Sequence, residues 1–178
     1  IPVLNCSSIN KAASRDWIAA HKPDLIISAY FTQILKQPVI DLPKIGVLNI
    51  HPGWLPSYRG AMCYFWALHN EEQDAGVSVH WIDAGIDTGN LLARRKIRLN
   101  KRRTQERILF LTAVIGSRML QRVGKQLLNK ETPITIDTSH ETANYYAMPK
   151  EADYDRYAAQ HRFFRIRDVM SLLWCRSV

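Results

Sequence analysis

Three polar side chains have the residue types and spacing of an acyl-transfer site. Asn49 and His51 are two residues apart, so on a strand both lie on the same face, and Pro52 restricts the backbone of His51. Asp87 lies within residues 85–89, whose two glycines allow a close approach of the backbone to a ligand. An amide stabilises an oxyanion, an imidazole carries a proton and a carboxylate orients the imidazole. By spacing alone, however, a turn-forming role for the Asn and the Asp is favoured.

The elements that must position these residues alternate between strands and helices. Apolar runs predict strands at residues 25–30, 47–50, 76–83, 91–99 and near 134–136, and helices at 8–21, 38–41, 61–70, 104–129 and after 150. This alternation is typical of an α/β protein with a parallel sheet, in which ligands bind beyond the carboxyl ends of the strands. That rule places the site in the loop after Ile50, and in the loop after Asp83 if that strand runs in the same direction.

Length and composition indicate an ordinary globular protein. The chain has 178 residues, of which 47% are hydrophobic and 22% charged, and this predicts one domain rather than a disordered chain. No apolar run reaches the ~20 residues of a membrane span. Cys6, Cys63 and Cys175 are too scattered for a disulfide framework or a thiolate zinc site. We therefore expect reduced thiols and a cytoplasmic protein, although the sequence begins at Ile1 rather than Met, so a processed or truncated chain stays an alternative.

The net charge of +8 favours an anionic partner, such as a phosphate, a nucleotide or RNA. Seven basic residues form the densest cluster: Arg94, Arg95, Lys96, Arg98, Lys101, Arg102 and Arg103. No aromatic residue interleaves with them, as single-stranded nucleic acid would favour. A solvated edge strand protected by its charges is therefore the preferred interpretation of this cluster.

Four segments occur in an order that is specific to one known family. Residues 49–52 (Asn-Ile-His-Pro), 55–60 (Leu-Pro-Ser-Tyr-Arg-Gly), 76–80 (Gly-Val-Ser-Val-His) and 87–89 (Asp-Thr-Gly) resemble the signature of 10-formyltetrahydrofolate-dependent formyltransferases. That family includes glycinamide ribonucleotide, methionyl-tRNA and sugar-nucleotide formyltransferases. The resemblance is strong over residues 22–99 and weak on both sides of them.

The resemblance implies a Rossmann-like, mostly parallel sheet flanked by helices. It assigns residues 1–145 to the catalytic domain and residues 146–178 to a helical extension without a domain of its own. The family's domain begins with further strand–helix units that bind part of the acceptor, so we expect N-terminal strands to be missing. Residues 53–55 (Gly-Trp-Leu) also depart from the usual Ser-Leu-Leu, so Trp54 is expected to reshape the acceptor entrance.

The implied reaction moves a formyl group from 10-formyltetrahydrofolate to a primary amine. The acceptor is expected to be anionic and phosphate-bearing, with tRNA as one option. Asn49 and His51 would stabilise the oxyanion, and Asp87 would keep His51 charged and help move the proton from the amine to N10 of the folate. Pro52, Gly60 and His80 would contact the acceptor. Neither a metal nor a membrane is expected to take part.

The resemblance also implies where the folate lies. The backbone of Gln33, Ile34 and Leu35 would hold the pterin ring, and Ile40 and Val47 would line its pocket. The backbone of the following segment would hydrogen-bond the pterin edge, through Trp81, Ile82, Asp83, Ala84 and Ile86. From the residues alone, plain core packing of the aliphatic side chains is the simpler explanation.

Other functions stay open at this point. A folate hydrolase would send water to the same formyl carbon, and a remnant that only binds folate would catalyse nothing. His51, His80 and Asp87 could form a zinc site, although no short two-histidine spacing supports one. The sequence identifies neither the acceptor nor the oligomeric state.

Overall fold

The computed structural model describes residues 2–100, 103–166 and 168. It contains five helices within these residues: α1 (Ala12–Ala20), α2 (Gln37–Ile40), α3 (Cys63–His69), α4 (Gln105–Leu128) and α5 (Glu151–Gln160). The strands are β1 (Leu25–Ala29), β2 (Gly46–His51), β3 (Arg59–Gly60), β4 (Asp74–Trp81), β5 (Leu91–Arg98) and β6 (Tyr145–Tyr146). No helix in the described ranges has the length and apolar character that a membrane crossing requires.

Four strands form the main sheet, in the order β1-β2-β4-β5. β1 pairs with β2 in parallel, whereas β4 runs antiparallel to both β2 and β5. The predicted α/β class, with helices flanking parallel strands, is confirmed, and the sheet is mixed. The strand before Asp83, β4, runs antiparallel to β2, so the condition set above for the loop after Asp83 is not met, although Asp87 of that loop does lie near His51.

The long helix α4 covers one face of this sheet. Thr104 caps it as predicted, since its hydroxyl accepts a hydrogen bond from Arg107 N at 3.2 Å. Gly116 lies where α4 crosses β2, and any Cβ there would overlap the side chain of Ile50. Helix and strand therefore approach closely, and the buried residues between them form a core that fixes the position of β2.

The two edges of the sheet differ in character. β5 carries the exposed basic residues Arg95, Lys96 and Arg98, so the solvated edge strand favoured above is what these residues form. Lys101 and Arg102 of the same cluster lie outside the described residues. At the other edge β1 is apolar and pairs with β2, and its Ile27 is 52% exposed.

Two predicted elements differ from the structure. The strand expected near residues 134–136 is wrong: this segment is extended, and its bond from Ile136 N to Leu91 O (2.8 Å) joins it to the start of β5 without forming a ladder. The first helix begins at Ala12 rather than Ser8, because the carbonyl of Ser8 accepts the Ser14 hydroxyl at 2.8 Å and closes a turn.

The segment after residue 145 packs on the same core. Tyr157 of α5 is 1% exposed, and its ring lies 5.0 Å from that of Phe65 in α3. The assignment of residues 146–178 to a helical extension without a domain of its own, with its boundary at residue 145, stays a prediction. Cys175 lies outside the described residues.

Candidate active site

Asn49 and His80 meet across the sheet. They are opposed in the antiparallel register of β2 and β4, and Asn49 Nδ2 lies 3.1 Å from His80 Nε2. His80 Nδ1 is 2.7 Å from the carbonyl oxygen of Trp81, and a carbonyl only accepts, so Nδ1 carries a proton. Nε2 is then left to accept one N–H of the Asn49 amide. The amide is therefore held in one orientation, and its second N–H remains for a ligand.

His51 is fixed through its other ring nitrogen. The ring is 3% exposed, and Nε2 donates to the carbonyl oxygen of Tyr58 at 2.7 Å. Gly53 lies directly against it, because a Cβ at that position would be 2.5 Å from Nε2. Nδ1 consequently points toward Asp87, with 3.4 Å between Nδ1 and Oδ2.

Asp87 reaches both histidines from a loop that folds back over the sheet. Its φ of +52° is in the left-handed region, which Asp tolerates better than most side chains. Oδ2 accepts the N–H of Gly60 at 2.8 Å, and Oδ1 lies 3.5 Å from His80 Nε2. Asp83 holds the loop in shape, since its Oδ1 accepts from the Thr88 hydroxyl at 2.5 Å.

Burial sets the protonation of this group. It lowers the pKa of His51, and the negative charge of Asp87 only partly opposes this. Burial alone would raise the pKa of Asp87, but the neighbouring His80 and His51 rings and the hydrogen bond from the Gly60 N–H outweigh it, so the pKa is lowered. At neutral pH the resting pair is a carboxylate beside a neutral imidazole. The expectation that Asp87 keeps His51 charged stays a prediction, and the burial of the His51 ring opposes it.

The side chains predicted to line a folate pocket form a second small core. Leu35 and Val47 are buried together, and Ile40 and Ile82 pack against them. Ile34, in contrast, is 64% exposed. Core packing therefore accounts for these aliphatic side chains, whether or not a ligand also lies against them.

Part of the backbone predicted to hold the pterin is already paired within the protein. Ile34 O accepts from the Asn10 amide at 2.9 Å, and the side chain of Gln33 accepts from Ile9 N at 3.0 Å. Trp81 N donates to Asn90 O at 3.0 Å, and Ile82 N donates to Val47 O at 2.8 Å. Of the predicted pterin-binding loop residues, Asp83, Ala84 and Ile86 are exposed.

The three residues predicted to contact the acceptor have different surroundings. Pro52 is half-buried beside His51. Gly60 uses its N–H to hold Asp87. His80 is 1% exposed and has both ring nitrogens engaged, so its contacts suit orienting Asn49 and Asp87 better than touching an acceptor. Within the described ranges, no group of three His, Cys, Asp or Glu side chains is arranged to hold a metal ion.

Two parts of the site carried no signal in the sequence. The carbonyl of Tyr58 anchors His51, and a backbone group is not visible as a residue type. Gly53 leaves room for the imidazole ring, yet in the sequence it is one of two glycines in a turn-rich loop. The only sequence signal for the His51–Tyr58 contact is that Tyr58 follows His51 by just seven residues.

Comparison with known proteins gives close matches in sequence. Residues 4–123 match the profile of the formyl transferase family. The chain is similar to the methionyl-tRNA formyltransferase of Methylacidiphilum infernorum, with 39% identity over 118 residues, covering 66% of this chain and 37% of that protein. It is also 33% identical over 148 residues to that of Acetivibrio thermocellus, covering 83% of this chain and 47% of the relative. The chain thus spans less than half the length of these two curated relatives.

Comparison of the folds agrees with this result. An N-formyltransferase from Helicobacter canadensis, solved in complex with folinic acid and dTDP-3-aminofucose, superposes with a TM-score of 0.60 and 25% identity. The superposition covers 68% of this chain and 44% of that one. Because the family profile matches more than half of the residues, this chain belongs to the formyl transferase family.

Proposed function

We propose that this protein transfers a formyl group from 10-formyltetrahydrofolate to a primary amine. The observation that carries the proposal is the arrangement of the buried His51 with the half-buried Asn49 and Asp87 in a chain of this family. Asn49 and His51 come from one strand and Asp87 from a loop 36 residues after His51, and His51 and Asp87 lie 3.4 Å apart. Packing alone does not require a carboxylate beside a buried imidazole, since burial disfavours both charged forms.

The geometry suits a general base. The amine attacks the formyl carbon, and the carbonyl oxygen becomes an oxyanion to which the free N–H of Asn49 donates. His51 Nδ1 carries no proton in the resting state and accepts one from the attacking amine. Asp87 then stabilises the imidazolium through Oδ2. When the bond from the formyl carbon to N10 breaks, N10 takes the proton from the His51 imidazolium, and the products are the formamide and tetrahydrofolate, with His51 neutral again.

The donor side of the site is proposed on two grounds. The similar Helicobacter canadensis enzyme was solved with folinic acid. In this chain, Val47 lies on β2, the strand that leads to Asn49, and it packs with Leu35 from the segment before α2. Ile34 and Ile86 are exposed. We assign the pterin to this region, with Gln33, Ile40 and the loop from Trp81 to Ile86 around it. Metal chemistry has no part in the proposed step.

The acceptor is proposed to be a phosphate-bearing amine. The net charge of +8 favours an anion, methionyl-tRNA is named in the curated relatives, and dTDP-3-aminofucose in a structural one. A direct test incubates the protein with 10-formyltetrahydrofolate and each of these two amines, and follows release of tetrahydrofolate together with the formylated product. Transfer to one of them, lost in Asp87→Asn, supports the proposal. Tetrahydrofolate release at an equal rate without any amine would show hydrolysis instead.

A further inference from the structure

A cavity of about 420 Å³ borders Asp87. One wall is formed by residues 55–59 and the other by residues 135–139, and the loop at 87–91 lies between them. The lining includes the hydroxyls of Thr88, Thr138 and Ser139. The lining thus combines polar groups with the apolar side chains of Leu55, Pro56, Leu91 and Ile136, and it includes none of the residues assigned to the pterin.

Arg59 is the cation of this cavity. Its Nε is buried and has no hydrogen-bond partner, and no described contact joins its guanidinium to a carboxylate. A buried donor left unsatisfied costs free energy, which an acceptor group of a ligand recovers. Arg59 is held close to the proposed catalytic residues, because the next residue, Gly60, donates its N–H to Asp87. The carboxylate of Asp137 also lines the cavity and accepts Ser139 N at 2.9 Å.

A salt bridge beside the cavity holds the wall formed by residues 135–139 in place. Glu141 follows the wall segment and pairs with both terminal nitrogens of Arg94, at 2.5 and 2.8 Å. Arg94 also donates to Leu55 O at 2.7 Å, and its guanidinium lies 4.1 Å from the ring centre of Trp54. Arg94 therefore joins the wall at Leu55 to the segment that continues from the other wall at Glu141. These contacts set the width of the cavity before a ligand binds.

We propose that this cavity binds the phosphate-bearing part of a small-molecule acceptor, with Arg59 as the residue that recognises the phosphate. This inference rests on the proposed transferase function. A planar guanidinium with free donors matches phosphate oxygens, and the surrounding hydroxyls and Asp137 match the hydroxyls of a sugar. A nucleotide-linked amine carries both a phosphate and a sugar, and it is therefore the acceptor class that we assign to the cavity.

The test compares wild type, Arg59→Ala, Arg59→Lys and the control Arg95→Ala. The control removes the same charge from an exposed position on β5 that does not line the cavity. With dTDP-3-aminofucose as acceptor, Arg59→Ala should raise the acceptor KM about 10- to 100-fold, as expected for loss of hydrogen bonds to a charged group. Its kcat and its affinity for folate should stay near those of wild type. Arg59→Lys should recover part of the loss, and Arg95→Ala should behave as wild type.

A second measurement separates this inference from the transferase function. Titration of dTDP into the same four proteins needs no turnover, so it reports on the cavity even if no formyl transfer is found. We expect wild type and Arg95→Ala to bind dTDP alike and Arg59→Ala to bind it at least about 10-fold more weakly. Equal affinities of Arg59→Ala and wild type, or no binding by either, would overturn the assignment. So would efficient transfer to methionyl-tRNA that is insensitive to Arg59→Ala.

Discussion

Asn49 on β2 and His80 on β4 are opposed across an antiparallel strand pair and joined by a 3.1 Å contact between Nδ2 and Nε2. The contact depends on the tautomer of His80, which the carbonyl of Trp81 fixes through Nδ1. His80, which the sequence predicted to touch the acceptor, is thus buried and turned toward Asn49, the proposed oxyanion donor. The pairing of two strands, rather than a loop, determines how the Asn49 amide points.

We predict that His80 acts through Asn49. Asn49→Ala should lower kcat about 100-fold, as for loss of one oxyanion donor. His80→Ala should lower kcat by a similar factor with a smaller change in the acceptor KM. In the double variant the two losses should not multiply, because the second substitution removes an interaction that is already absent. Steady-state kinetics of the three variants measures this coupling.

The conservative variant His80→Gln tests by rescue whether His80 acts through Asn49. A glutamine side chain can accept the amide N–H through its own carbonyl oxygen, so part of kcat should return. Fully multiplicative losses in the double variant, with no rescue by glutamine, would mean that His80 contributes independently of Asn49.

A second prediction concerns His51. His51→Ala should reduce kcat about 1000-fold, since it removes the proton acceptor and changes the site of the developing charge. Folate affinity, followed by titration, should change little, because the residues assigned to the pterin do not contact the imidazole. The exposed His21 provides the control, and His21→Ala should keep wild-type turnover. Near-normal kcat in His51→Ala would remove the proposed chemistry from this site.

The pH dependence gives a third prediction. Only unprotonated His51 accepts a proton, so kcat should fall as the pH drops through the pKa of His51, which burial places below its ordinary value of 6.5. The charge of Asp87 raises that pKa, so Asp87→Asn should lower it further. The acidic limb of the kcat profile should therefore shift to lower pH in Asp87→Asn, while the plateau falls. A shift in the opposite direction would contradict the proposed pairing.

Much of the fold could be predicted from local signals. Apolar runs identified β1 and β2, and Thr104 before an amphipathic stretch identified the start of α4, because these features depend on nearby residues. Asn49, His51 and Asp87 were selected by their types and by family resemblance. The structure brings His51 and Asp87 within 3.4 Å, although their roles stay proposals.

The remaining features depend on contacts that no local pattern records. The direction of β4 relative to β2 follows from their antiparallel pairing, which apolar runs alone do not predict. The protonation of His51 follows from its burial and from a backbone carbonyl of Tyr58. The pairing of Arg94 with Glu141 joins residues 47 apart in sequence. For these features, the sequence supplies the residue types but not their partners.

The last prediction uses two glycines with opposite surroundings. At Gly53 a Cβ would lie 2.5 Å from His51 Nε2 and 2.6 Å from Tyr58 O, so Gly53→Ala must displace the imidazole or its anchor. We expect lower stability and a fall in kcat that exceeds any change in folate affinity. At Gly124, inside α4, a Cβ meets nothing within 4 Å. Gly124→Ala should raise the free energy of unfolding by about 0.5–1 kcal/mol and leave kcat unchanged, because alanine favours the helix.

Urea unfolding and steady-state kinetics on both variants decide between two explanations of Gly53. If the glycine only shapes a turn, Gly53→Ala should lose stability but keep the kcat of the folded fraction. If it makes room for the ring of His51, kcat per folded molecule should fall, and its pH profile should change with the surroundings of the imidazole. We expect the second result, because the nearest atom to the added methyl group is the ring nitrogen that the Tyr58 carbonyl holds.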